Sequence, residues 1–272
     1  MPEEQSAGGQ TIDEGPAEQG PLRRSFTITF TFTNFSAHRP LIVNLNVNEK
    51  PKFPHSILKL PVPLLRPSDP FPDPSAAKRD GLVAITRDLT AERLLEAYPL
   101  GIFPWTENPV TWWSPDPRGI LPLGRLHLPR RLAQTIRTGK FRFTINQAFG
   151  EVIRGCAQPA PGREQSWIGP KFVLAYTELH KRGHAVSYEA WQGDKLAGGL
   201  YGVKIGRFFA GESMFSQVRD ASSAALVFAA QTLQEEGCRL FDLQMVTPHT
   251  ARFGAVEISR KEYLELLRFA VG

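Results

Sequence analysis

Cysteine is nearly absent. The chain's two, Cys156 and Cys238, stand far apart and in no CxxC or zinc-like spacing, so neither a disulfide framework nor a thiolate metal centre organises the fold. No run approaches the ~18 consecutive apolar residues of a membrane span, and the N-terminus lacks the basic and apolar regions of a secretory signal. The chain is therefore read as soluble and cytoplasmic. Metal-ligand spacing is also missing: His180 and His184 are four apart, but Gly183 breaks the helix between them and no third ligand is evident. Acidic residues are absent from one long stretch. Between Arg118 and Arg142 stand Arg118, Arg125, Arg130, Arg131, Arg137, Lys140 and Arg142 with no Asp or Glu among them, a pattern that suits a solvated face or a phosphate-binding face equally well.

What is present suffices for a substantial core. A chain of 272 residues with 42% hydrophobic residues is long enough for one large domain or two smaller ones, and disorder throughout is excluded. The net charge of +5 and pI near 9.3 are compatible with a polyanionic partner. Residues 1–70 differ from the rest, being rich in Pro, Gly, Ser and polar residues; they are read as a poorly structured N-terminal extension. Within it, Phe26 to Phe35 alternates as a strand does.

From Thr90 the pattern becomes globular. Thr90 caps a helix carrying Leu94, Leu95 and Tyr98, which stops at Pro99 and Gly101. The next segment, GIFPWTENPVTWWSPDPRGIL, is too rich in Pro, Gly and Trp for a long helix and predicts a folded loop shaped by aromatic packing. Phe172, Ala175, Tyr176 and Leu179 space a helix from Pro170 to Lys181. Three antiparallel strands follow, His184 to Trp191, Leu196 to Val203 and Arg207 to Phe215, with Gly193-Asp194 as hairpin chemistry. A helix over Ala221 to Glu236, a buried strand over Cys238 to Gln244, a Thr247-Pro248 start and a Ser259/Glu262 capping box before a last helix complete the pattern. Asp242 and Gln244, two apart on that strand, point to one sheet face. The order predicts an α+β fold with a mixed sheet, similar to GNAT-like N-acyltransferases.

Four blocks then converge: AYPLGIFPW (97–105), WWSPDPRGIL (112–121), GGLYGVKIGRFFAGESMFS (198–216) and FDLQMVTPHTARFGA (241–255). Together with FRFTINQAFGEVIRGCA, SWIGP and ELHKRGHA between them, they resemble the leucyl/phenylalanyl-tRNA-protein transferase family from about Phe71 onward. The chain departs from that pattern at Thr86-Arg87, Val186-Ser187, Ser223 and Leu243. The resemblance implies a small N-terminal domain over 71–132 and a GNAT-like catalytic domain over 133–272.

It also implies a reaction: the amine of a protein beginning with Arg or Lys attacks the ester joining Leu, Phe or Met to the 3′-terminal adenosine of tRNA, and the product is marked for degradation as an N-degron. The ester is already activated, so no metal, cofactor or covalent intermediate is required, and the enzyme is expected to work as a monomer. Asp242 is expected to orient Gln244, whose carbonyl oxygen positions the amine; Glu212 is a third candidate, either anchoring the amino group of the aminoacyl moiety or attracting the basic acceptor residue, and the proton is left to water, the ribose hydroxyl or Asp242. Leu200, Phe209, Met214, Ser216, Leu226, Phe228 and Phe241 are expected to form the aminoacyl side-chain pocket. Trp105 and Trp167 are expected to stack on the adenosine, supported by Tyr98 and Tyr176. The basic run from Arg118 to Arg142 is expected to meet acceptor-stem phosphates.

Three other readings stay open. A coenzyme A-dependent N-acyltransferase should carry a glycine-rich pyrophosphate loop, whereas SQVRDASSAAL stands at that junction. A peptidoglycan-bridge aminoacyl transferase shares the charged tRNA and differs in its acceptor. A tRNA-binding module without turnover would keep the aromatic and basic surfaces alone.

Overall fold

A computed structural model describes residues 62–159 and 166–272, together with the backbone of two strands near the N-terminus. The chain divides into two units, Met1–Leu58 and Lys59–Gly272. In the first, β1 (Ser25–Phe30) pairs antiparallel with β2 (Leu41–Asn46). The alternating run thus begins as the predicted strand, ending at Phe30; its remainder, with most of the extension, lies outside the described residues.

In the second unit Leu64 bridges Ile85, so the chain joins this unit before residue 70, and a 3-10 turn over Pro74–Ala76 precedes β3 (Leu82–Thr86), α1 (Ala91–Ala97) and a second 3-10 turn over Tyr98–Leu100. Thr90 caps α1 by accepting a hydrogen bond from the Arg93 amide at 3.3 Å, and Gly101, at φ 77°, supplies the left-handed exit that Pro99 and the turn require. The aromatic segment that followed was predicted to be a loop. It forms three strands instead: β4 (Phe103–Glu107), β5 (Val110–Trp113) and β6 (Arg118–Ile120). The prolines do not forbid this because Pro104 lies on an edge strand of the small sheet β3-β5-β4, where no ladder donor is needed. Trp112 is fully buried there and donates its indole N–H to the Thr86 hydroxyl at 2.9 Å.

The larger sheet has seven strands. After α2 (Arg130–Arg137) come β7 (Arg142–Ile145), α3 (Phe149–Ala157), α4 (Pro170–Lys181), β8 (Ala185–Gln192), β9 (Lys195–Ile205), β10 (Phe208–Ser216) and α5 (Ala221–Glu235). β11 (Leu240–Gln244), α6 (Pro248–Ala251), β12 (Val256–Ile258) and α7 (Arg260–Val271) finish the chain. The strand order is β12-β6-β11-β10-β9-β8-β7, antiparallel except between β10 and β11. The fold is therefore a mixed-sheet α+β arrangement, with the predicted meander β8-β9-β10 at its centre. Short elements escaped the sequence pattern: β6, β7 and β12 have three or four residues each, too few to show a period.

Helices cover both faces. Phe208, Ala210, Leu240 and Tyr201 face a core shared with α1, α3, α4 and α7, whereas Phe209, Phe241 and Leu200 face one shared with α5. This is the alternation of a strand buried on both sides. Thr247 and Thr250 form a reciprocal capping box at α6. At α7 Ser259 accepts from the Glu262 amide at 3.2 Å. Among the described residues no helix is long and apolar enough to cross a membrane.

Candidate active site

The site lies where the two parallel strands part. β10 and β11 pair over three positions, ending at Ala210 opposite Asp242, while β10 continues to Ser216. At that fork β10 bulges: Gly211 faces Gly202 and Ser213 faces Tyr201, leaving Glu212 as the extra residue. A Cβ on Gly211 would stand 2.9 Å from the Phe241 ring, so the small residue before Glu212 lets the strands stay close up to the fork.

β11 is distorted at the same level. Gln244 has a left-handed backbone, φ 60°, and the pairing with β6 shifts between Asp242 and Gln244. Such a conformation is costly for a residue with a side chain and needs fixing from outside. Asp242 supplies the fixing: its Oδ1 accepts the Gln244 amide N–H at 2.9 Å. The predicted coupling of these residues therefore runs through the backbone, and the regular same-face geometry expected of i and i+2 is replaced by a bulge. Gly119 is the other half of this arrangement, since a Cβ there would meet the Met245 backbone at 2.4 Å.

Asp242 is fully buried and its two oxygens take four donors. Arg118 Nε reaches Oδ1 at 2.9 Å and Arg118 Nη2 reaches Oδ2 at 2.6 Å; the Tyr263 hydroxyl donates to Oδ2 at 2.9 Å. Arg118 also donates to the Gly101 carbonyl at 3.0 Å and lies between the rings of Phe103 and Tyr263, 4.7 and 4.3 Å from their centroids. Burial opposes the guanidinium's charge, but the attraction of Asp242 and Tyr263 outweighs it and raises its pKa above the ordinary value. This corrects the grouping of Arg118 with phosphate-binding residues: at 1% exposure it cannot meet a polyanion.

Glu212 completes the cluster. Gln244 Nε2 donates to Oε1 at 3.2 Å, and the Tyr176 hydroxyl donates to Oε2 at 3.1 Å with Tyr98 and Tyr176 hydroxyls 2.6 Å apart behind it. Desolvation pushes the Glu212 pKa up to about 7, against the lowering effect of the tyrosine hydroxyls. Burial likewise holds Tyr98, Tyr176 and Tyr201 well above the ordinary tyrosine range, so all three hydroxyls are neutral. Tyr98 and Tyr176 are too buried to offer a ring face to a base; of their hydroxyls, expected to support the adenosine, that of Tyr176 is committed to Glu212 and that of Tyr98 to Tyr176.

Trp105 and Trp167 are only partly buried. Trp105 packs edge-on against Trp113 at 5.9 Å, and Trp167 edge-on against Phe172 at 5.0 Å. Their segments are tied together by the Glu107 carboxylate, which accepts the Lys171 amide N–H at the start of α4. Of the apolar candidates, Leu200, Phe209, Leu226 and Phe241 are buried in the core under α5, and Met214 and Phe228 pack at its margin. Ser216 does not belong with them: it is exposed, donating to the Val218 carbonyl at 2.8 Å and accepting the Ser222 amide at 3.3 Å near the start of α5. Arg125, Arg130, Arg131, Arg137 and Arg142 are exposed, and Lys140 donates to the Arg219 carbonyl at 3.2 Å. Among the described residues no cluster of three or more His, Cys, Asp or Glu could hold a metal.

Sequence reasoning missed the roles of Arg118 and Tyr263. The only signal for Arg118 was its place in the WWSPDPRGIL block; nothing in a local pattern joins residues 124 apart.

Known proteins share much of this sequence. Residues 120–268 match the family model described as leucyl/phenylalanyl-tRNA protein transferase, and residues 87–116 match the model of that protein's N-terminal domain. A leucyl/phenylalanyl-tRNA–protein transferase of Anaeromyxobacter dehalogenans (strain 2CP-C) is 50% identical over 215 residues, covering 77% of this chain and 92% of the relative. The protein of that name from Nitratidesulfovibrio vulgaris (strain DP4) is 51% identical over 203 residues, 74% and 87% of the two chains. The structure of L-PGS from Bacillus licheniformis aligns over 70% of this chain and 73% of its own at 11% identity, with a TM-score of 0.39, too loose a likeness to bear on function. A mixed-sheet protein with a buried carboxylate, amide and second carboxylate at a strand fork, and with these relatives, is a transferase. The chain belongs to the leucyl/phenylalanyl-tRNA protein transferase family.

Proposed function

We propose that this chain moves Leu, Phe or Met from aminoacyl-tRNA to the free amine of proteins that begin with Arg or Lys, forming a peptide bond and generating an N-degron. The observation that carries the reading is the fork itself: Gln244 and Glu212 are joined at 3.2 Å where β10 and β11 separate, and Asp242 locks the Gln244 backbone beneath them. The parting of two parallel strands beside a bulge is also what supports a GNAT-like architecture, with 71–132 as a small N-terminal domain and 133–272 as the catalytic domain.

In this reading Gln244 Nε2 is occupied by Glu212, which leaves the amide oxygen to accept a hydrogen bond from the incoming amine and hold it against the ester carbonyl. The aminoacyl side chain enters past the fork toward Met214 and Phe228, with Leu200, Phe209, Leu226 and Phe241 behind them as an apolar wall. Trp105 and Trp167 stack on the terminal adenosine at the held edge between β4 and α4, and the exposed arginines on and around α2 meet the acceptor stem. No cofactor or metal enters the scheme, and the enzyme acts as a cytoplasmic monomer.

The test is transfer of labelled leucine from Leu-tRNA to peptides beginning with Arg, Lys or Ala. Transfer to the Arg and Lys peptides that is lost in Gln244→Ala supports the reading. Binding of Leu-tRNA with no transfer to any peptide would replace it with a non-catalytic tRNA-binding role.

A further inference from the structure

The reaction needs a proton acceptor. The amine nitrogen forms a bond to the ester carbon, the C=O pair moves onto oxygen, and one N–H proton must leave before the carbonyl reforms. When it does, the bond to the ribose 3′ oxygen breaks and that oxygen needs a proton. One group that accepts the first proton and returns it to the ribose oxygen balances the whole transfer, with no external acid or base.

The described residues around the fork offer few choices. Asp242 has its two oxygens filled by Arg118, Tyr263 and the Gln244 amide, two donors to each oxygen at 2.6–2.9 Å, so it has no lone pair to turn toward a substrate. Gln244 is a neutral amide, and its acceptor oxygen is a poor base. Tyr98, Tyr176, Tyr201 and Tyr263 are neutral hydroxyls held far from ionisation. Arg118 is cationic and buried.

Resting on the functional reading above, we propose that Glu212 is the group that takes the proton from the attacking amine and hands it to the departing ribose oxygen. Its position favours this. It is the unpaired residue of the β10 bulge, partly exposed at the fork, and among the described residues Oε1 is engaged by Gln244 Nε2 alone, at 3.2 Å. A neutral amine has two N–H groups, and the adjacent Gln244 carbonyl and Glu212 Oε1 form a pair of acceptors for them. Tyr98 and Tyr176 support Oε2 from the 3-10 turn and α4, Tyr201 approaches from β9, and Arg118 and Asp242 lie across the sheet as a compensated pair. A carboxyl that titrates close to neutral pH, about 7, is matched to accepting and returning a proton in the same cycle.

The experiment measures single-turnover transfer from Leu-tRNA to an Arg-initiated peptide between about pH 5.5 and 9, the range that brackets Glu212 and the amine. Wild type, Glu212→Gln and Glu212→Ala are compared, with Leu-tRNA binding measured in parallel. Wild type must transfer first; its failure would tell against the functional reading. Given that activity, Glu212→Gln should lower the rate about 10²–10⁴-fold, abolish the limb near pH 7 and leave Leu-tRNA binding within about threefold. Added formate or acetate should restore part of the Glu212→Ala rate, since a small carboxylate replaces the missing base. A limb retained in Glu212→Gln, no rescue by either carboxylate, or a loss expressed entirely as weaker Leu-tRNA binding would overturn the assignment.

Discussion

Arg118 and Asp242, 124 residues apart in the chain, meet through two parallel hydrogen bonds of 2.9 and 2.6 Å in the interior of the sheet. Neither has access to water. A buried ion pair of this kind contributes little net stability, because the desolvation of both charges offsets their attraction. What it does here is geometric: it joins β6 to β11 and fixes the carboxylate that in turn fixes the left-handed Gln244.

Removing one partner should be far worse than removing both. Arg118→Met would leave the Asp242 carboxylate buried without its cation, and should cost about 3–5 kcal/mol in denaturant unfolding. The double variant Arg118→Met/Asp242→Leu should recover most of that stability while transfer stays lost, because the Gln244 amide no longer has its acceptor. A double variant that regained full activity would show that the backbone lock does not matter.

The fate of Arg118 shows how far the sequence could be read. The helix over Pro170–Lys181 and the meander β8-β9-β10 were legible because their apolar periods run for eight residues or more. Asp242, Gln244 and Glu212 were legible as a group through the motif blocks that contain them. The bulges at Glu212 and Gln244 were not, because a bulge is decided by what lies across the sheet: Gly119 beneath Met245, and Tyr201 facing Ser213. Arg118 was misplaced for the same reason. In composition it is one of seven basic residues in a run, and only the chain's long-range closure separates it from the exposed ones.

Glu212 should also leave a mark on stability. Its folded pKa of about 7 lies above the ordinary 4.5, so the folded state binds the proton more tightly than the unfolded one. The stabilisation is fully present below the unfolded value and is lost as pH rises through about 7. Between about pH 5 and 8, wild type should lose about 2–3 kcal/mol from this group, an order-of-magnitude figure, relative to Glu212→Gln. Urea unfolding of both proteins at the two pH values measures the difference, and parallel pH profiles would mean that Glu212 is not desolvated in the fold.

The margin of the α5 core should set donor preference. Met214 and Phe228 are only partly buried at its edge, whereas Phe209 and Phe241 pack edge to face at 4.9 Å within it. Phe228 stacks on Phe143 at 5.0 Å, so trimming it opens space at the margin and leaves the Phe209–Phe241 pair in place. Phe228→Ala should therefore change the ratio of Phe to Leu transfer by roughly 10-fold or more, corresponding to about 1–3 kcal/mol, with little effect on Leu-tRNA binding through its nucleic acid. Competition between Phe-tRNA and Leu-tRNA reads the ratio directly; an unchanged ratio would move the side-chain pocket elsewhere.

The exposed arginines divide cleanly from the buried one in a salt experiment. Arg130, Arg131 and Arg137 lie on α2 with their side chains in solvent, while Leu132 and Ile136 turn inward to the core. Replacing the three arginines by Gln removes charge from the outer face and leaves the packing side untouched. If they neutralise acceptor-stem phosphates, fewer counterions are released on binding, and the slope of log K against log salt should fall by about 0.7–0.9 for each arginine–phosphate pair removed. The maximal transfer rate at saturating Leu-tRNA should change little, because these residues stand outside the fork. A slope identical to that of wild type would assign the basic run to an ordinary solvated face, and the tRNA backbone would then have to be held by another surface.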